Sequence, residues 1–192
     1  MTQAMRAGAA PLHPGHPATA DRGNWSVTAD VRWGDIDIHR AHRQPELLRA
    51  VRSAARELAV RSAATARMMV LAVRDVHACA ALTLELYDGL KHFHALRTYL
   101  DTVEFTPALS DEELADARET QAESGPFEDC ESALTACLRT QRVGATHFGQ
   151  LCARAEEPVL AELLSFVAAD EARHGQIISN VLALRSARQT AA

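Results

Sequence analysis

A single lysine, Lys91, stands among 192 residues, so the positive charge is almost all arginine, scattered along the chain rather than clustered. With a net charge of −5 and a pI near 6, the composition excludes the usual electrostatic footprint of a nucleic-acid binder. Aromatic residues are only 5% of the chain. The four cysteines, Cys79, Cys130, Cys137 and Cys152, have no Cys-x-x-Cys spacing, which argues against a zinc or dithiol motif; they read as small buried hydrophobes in helices. No hydrophobic run approaches a membrane span, and the N-terminus lacks the apolar region of a signal peptide. A cytoplasmic protein with no membrane partner is expected. Strand alternation is missing too, except briefly around Trp25 to Ile38.

What the chain does have is helix-forming material. Hydrophobic residues make up 47% of it, and Ala, Leu, Arg and Glu dominate; these lose little conformational freedom in a helix. Residues 1–24 are rich in Ala, Gly, Pro and His and read as a disordered tail; His13 and His16 there, and His39 beyond, bind metal at most adventitiously. Residues 25–192 read as one all-α domain, opening with an extended segment (Trp25, Trp33, Ile36, Ile38) laid against the body. A first helix begins at Pro45 and runs toward Met68. Val73-Arg74-Asp75 is a turn, with Asp75 capping a second helix from Val76 to about Leu100. A polar connection, Thr106 to Pro126, holds a short helix signalled by Ser110-Asp-Glu-Glu113. The third helix takes about Phe127 to Ala155, and the fourth runs from Pro158 to about Arg185. Two helical hairpins joined by one long crossover describe a ferritin-like four-helix bundle.

The fourth helix carries Leu160, Leu163, Leu164, Val167, Ile178, Val181 and Leu182 on one stripe, and Glu171 and His174 fall inside it. A carboxylate and an imidazole on a core-facing stripe are costly unless something pairs with them. Metal ligation answers that cost, since Glu-x-x-His on bundle helices builds di-metal sites. In an antiparallel hairpin, level residues are nearly equidistant from the turn. That rule relates Glu171 to Gln141 and Glu85 to Glu57. The halves therefore rhyme: Glu57 with Glu85-Leu-Tyr-Asp88, and Gln141 with Glu171-Ala-Arg-His174. The candidate metal set is Glu57, Glu85, Asp88, His92, Gln141, Glu171 and His174. Asp88 stands where a histidine is expected, and His92 returns to the same face to supply an imidazole. Gln141 stands where a carboxylate is expected, and Tyr87 and His147 are further pocket candidates.

Val167-Ala-Ala-Asp-Glu-Ala-Arg-His174 resembles the last metal-binding motif of soluble acyl-acyl-carrier-protein desaturases. It is also similar to helices of tRNA-modifying hydroxylases and arylamine N-oxygenases of the ferritin-like superfamily of non-haem di-iron proteins. The resemblance covers about residues 151–182 and is a matter of pattern elsewhere. It implies a di-iron centre, or manganese in its place, that uses dioxygen to hydroxylate, desaturate or N-oxidise a small organic or carrier-bound substrate. Glu171 and His174 match the motif, and Glu85 and Glu57 match by position. Leu138 takes the spacing of the third-helix carboxylate unless Gln141 fills that role in another register. Asp88 and Gln141 leave a second expectation open: a bundle with a degenerate site acting as a non-catalytic binding or assembly protein. The arginine faces Arg52-Arg56 and Arg139-Arg142 are where an acidic carrier or another copy, as in a homodimer, would dock.

Overall fold

Local signals set the helix ends. The computed structural model describes residues 25–123 and 127–190, so the tail expected over 1–24, with His13 and His16, lies outside the described residues. Helix α1 is short, Ile38–His42; α2 spans Pro45–Ala72, α3 Val76–Thr102, α4 Asp111–Glu123, α5 Cys130–Arg154 and α6 Pro158–Thr190. Pro45 opens α2, where a missing backbone N–H costs nothing. Asp75 caps α3, its carboxylate accepting from the backbone N–H groups of His77 and Ala78. Ser110 Oγ accepts from Glu113 N at the start of α4, and Asp129 and Ser132 form a capping box on α5. Glu157 caps α6 by accepting from Leu160 N at 2.7 Å, and Tyr99 O–H donates to the same oxygen at 3.0 Å. The described residues are all helix, turn and loop, with no strand. None of their helices is long and apolar enough to cross a membrane.

Helix α2 packs along α3 and α5 along α6, while α3 lies against α6 and α2 against α5. Gln44, just before α2, bonds to Arg154 O and Glu156 N at the α5–α6 turn, and Tyr99 near the end of α3 reaches Glu157 in the same turn. Both α3 and α5 therefore finish at one end of the bundle. The connection between them has to travel back along its length, and α4 does so against α2.

Two apolar clusters fill the interior. One gathers Leu48, Leu58, Leu96, Tyr99, Leu160 and Leu164 near the α5–α6 turn; the other gathers Met68, Leu82, Leu134, Cys137 and Ile178 toward the opposite end. Between these clusters all four long helices bury polar side chains: Ser62 and Thr65; Glu85, Asp88 and His92; Gln141; and Asp170, Glu171 and His174.

The segment after Trp25 differs from the extended strip expected. It is a turn, a 3-10 turn at Trp33–Asp35 and α1, and Asp37 caps α1 through Arg40 N. Ser26, Asp30 and Asp37 bond to nearby backbone N–H groups, which favours turns over an extended chain. Trp25, Val31 and Ala41 are buried in the core cluster, so the segment does lie against the body. Of the cysteines, all free, Cys137 is buried and the other three are half-buried.

Candidate functional site

Six of the seven residues singled out from the sequence meet in the polar layer. Glu85, Asp88 and His92 come from α3, Gln141 from α5, and Glu171 and His174 from α6; all are buried. Glu57 does not join them. It is exposed on the outer side of α2, because the inward positions of that helix are Leu58, Ser62 and Thr65. Arg61, one turn beyond Glu57, reaches in instead.

Arg61 occupies the space between the two central glutamates. Its Nη1–H donates to Glu171 Oε2 at 3.0 Å, its Nη2–H donates to Glu171 Oε1, and its Nε lies 3.3 Å from Glu85 Oε1. Burial alone would lower the guanidinium's pKa, but the charges of Glu171 and Glu85 overcome that and raise it. A glycine makes room for the pair: a Cβ on Gly144 of α5 would stand 2.3 Å from Glu171 Oε2.

The histidines form a crossed arrangement. His174 of α6 donates through Nε2 to Asp88 of α3 at 2.8 Å, and His92 of α3 donates through Nε2 to Asp170 of α6 at 2.9 Å. Their Nδ1 atoms face the glutamates, His174 at 3.1 Å from Glu85 and His92 at 3.7 Å from Glu171. Neither Nδ1 atom, nor Glu85 Oε2, makes a hydrogen bond of good geometry, and both amide atoms of Gln141 are likewise unmatched. Burial works against charge on His174, yet Asp88 and Glu85 raise its pKa to about 9. Burial would push the acids up, but His174 and Arg61 hold Glu85 below its ordinary value, and His174 and Lys91 do the same for Asp88.

Asp170 anchors the outer layer. It accepts from His92, from Trp25 Nε1–H at 2.8 Å, from Lys91 at 3.1 Å and from Arg173 at 2.8 Å. Burial would raise its carboxyl, but His92, Lys91 and Trp25 overcome that and hold it far below the usual range. Trp25 stacks flat on His92, with ring centroids 5.9 Å apart, and Lys91 Nζ sits 4.5 Å from the Trp25 ring. Lys91 and Arg173 also pair with Asp88. Asp170 lies inside the quoted motif, next to Glu171, and burial of that helix was the signal for it. Trp25 and Arg61 had no such signal, since their partners are remote in sequence.

The charges close among themselves. The carboxylates of Glu85, Asp88, Asp170 and Glu171 face Arg61, Lys91, Arg173 and, below pH 9, the His174 imidazolium. Two metal ions do not fit this arrangement, because they would add charge to a balanced cluster and compete with Arg61 for the same oxygens. No group of three or more His, Cys, Asp or Glu side chains among the described residues is spaced to hold a metal ion.

A groove of about 460 Å³ runs between α2 and α5, lined by Val60, Ala64, Met68, Val143 and Phe148, with Arg61 and Gly144 in its wall. His147 and Glu57 also line it, whereas Tyr87 is exposed elsewhere, on α3.

Because its pKa is raised on folding, His174 stabilises the fold fully below pH 6.5 and loses that contribution as pH rises through about 9. At ~1.4 kcal/mol per pKa unit, the fall across that interval is on the order of 3 kcal/mol. Urea midpoints should decline over that range, and the His174 ring proton signals should titrate well above 6.5; titration near 6.5 would contradict the pairing with Asp88 and Glu85.

Compared with known proteins, the chain matches no family model, no curated sequence and no solved structure.

Proposed function

We propose that this chain is a ferritin-like bundle that keeps a carboxylate–histidine cluster of the di-metal type but balances it with its own cations, and that it serves as a non-catalytic binding or assembly protein. The observation carrying this reading is Arg61, whose guanidinium binds both central glutamates. The crossover running back along the bundle and the rhyme of Glu85 with Glu171 support the ferritin-like part. Four free thiols accord with a reducing cytoplasm.

Protein produced with excess iron or manganese should retain less than about a tenth of an equivalent of metal by elemental analysis, and Glu171→Ala should not change that. A stoichiometric metal lost in both Glu171→Ala and His174→Ala would overturn the reading.

One observation favours a second reading, an oxygen-dependent oxidoreductase with metal in the cluster. His92 Nδ1, His174 Nδ1 and Glu85 Oε2 are buried without hydrogen bonds, and an aspartate holds the far nitrogen of each ring. Metal-ligating histidines are oriented in this way. Iron or manganese bound there would supply dioxygen activation toward hydroxylation, desaturation or N-oxidation of a small organic or carrier-bound substrate. In that reading Arg61 would have to swing out of the cluster before Glu85, Glu171, His92 and His174 drew close enough to hold an ion. Asp88 and Asp170 would orient the rings, and the α2–α5 groove would admit the substrate. The same metal analysis separates the two readings.

A further inference from the structure

In the middle of helix α3 the usual polarity is reversed, although its two ends bury apolar residues such as Leu82 and Leu96. Its inner side carries Glu85, Asp88 and His92, all buried, while its outer side presents Val76, Tyr87 and Leu90 at 74%, 66% and 37% exposure. Ala80, Thr83, His94 and Thr98 complete that outer strip. Between the first residue of α3 and Asp101 in its last turn no Asp, Glu, Lys or Arg is exposed, and His94 is the one exposed histidine on the strip; Lys91 and Arg97 are half-buried and paired. Val70, Leu71 and Val73 extend the apolar exposure around the α2–α3 turn. A solvated helix keeps its charges outside, and depletion of charge with exposed aromatic and aliphatic residues marks a contact surface.

We propose that the outer face of α3 packs antiparallel against α3 of a second copy of this chain, about a two-fold axis near Tyr87. This names the partner in the assembly half of the reading above and rests on it. Two features select a second copy. First, Arg74 at the start of the face and Asp101 at its end are both exposed and form no ion pair among the described residues. They lie almost equally far from Tyr87 along the chain. An antiparallel pairing about Tyr87 therefore brings Arg74 of each copy level with Asp101 of the other, once at each end. Opposite charges at the rim of an apolar strip set orientation and register, and an isologous contact uses each pair twice. Second, the extent is adequate. The 27 residues of α3 run about 40 Å, so a strip one helix wide offers roughly 450 Å². That is over half of the ~800 Å² each partner contributes to a stable dimer, and the apolar α2–α3 turn widens it.

The test is sedimentation or light scattering of the full chain at micromolar to hundred-micromolar concentrations. A dimer is expected, and Tyr87→Glu should convert it to monomer with an unchanged thermal melt. Arg74→Asp and Asp101→Arg should each weaken the dimer at least several-fold, and the double variant should restore it. A chain that is monomeric throughout, including one that instead floats with phosphatidylcholine vesicles, overturns the proposal. So does a dimer indifferent to Tyr87→Glu, or a double variant no better than the singles. Metal analysis of the Tyr87→Glu monomer keeps this outcome separate from the charge-balanced reading of the cluster, which stands or falls on metal content alone.

Discussion

Arg61→Leu should lower the stability of the fold by about 3–5 kcal/mol, among the largest effects of any single substitution in this chain. The replacement leaves Glu171 and Glu85 buried, at 0% and 2% exposure, without the cation they share. Leucine fills much of the same space, so the loss reflects charge rather than a cavity. The same variant is expected to gain something. With Arg61 gone the cluster holds a surplus carboxylate charge beside two inward-facing imidazoles, which is a donor set for a divalent cation. Added manganese or zinc should therefore raise the melting temperature of Arg61→Leu and leave the wild type unchanged, since only a species that binds the folded state stabilises it. Urea titrations with and without metal read both effects. Wild-type stability in Arg61→Leu would show that the guanidinium is dispensable and would remove the main support for the charge-balanced reading.

Asp170→Ala should be nearly as damaging, by about 3–5 kcal/mol, for a different reason. Asp170 is the common acceptor for Trp25, His92, Lys91 and Arg173. Its removal leaves two cations facing Asp88 alone and strips the indole of its only hydrogen-bond acceptor in the structure. The segment from Trp25 to α1 is tied to the α3–α6 layer through this contact, so it should loosen before the bundle does. Trp25 fluorescence should shift to the red at denaturant concentrations where helix content is intact. Coincident transitions in fluorescence and circular dichroism would refute that order of events. Asp170→Asn keeps an acceptor for the indole and should retain more of the Trp25 environment than Asp170→Ala.

What could be read from the sequence was local. Pro45, Asp75, Ser110 and Pro158 sit at helix starts because each acts on backbone within a few residues. Glu85, Glu171 and His174 were placed in the interior by periodicity, and all three are there. Glu57 failed because α2 is rich in alanine, and a helix with small residues on several sides does not declare its inner face. Arg61 carries no mark in the sequence, since a cation is no metal donor, yet its long guanidinium arm enters the layer from the half-buried edge of α2. The stacking of Trp25 on His92 depends on pairing across the whole chain, which no local pattern encodes. On α3 Leu90 faces outward while Glu85 and Asp88 face inward. Periodicity identified the helix; only its neighbours decide which side is inside.

The crossed histidine–aspartate pairs bear on how the chain reaches its folded state. His174 and Asp170 belong to the α5–α6 hairpin, while Asp88 and His92 belong to α2–α3. Each hairpin formed alone keeps part of its charge paired, Glu85 with Arg61 and Asp88 with Lys91 in one, Asp170 with Arg173 in the other, but leaves Glu171 without Arg61 and both imidazoles without their aspartates. Docking of the hairpins completes the cluster by pairing Glu171 with Arg61 and each imidazole with its aspartate. The network thus works as a cooperativity device: it makes partly folded intermediates costly and concentrates the free-energy gain in the final closure of the four helices.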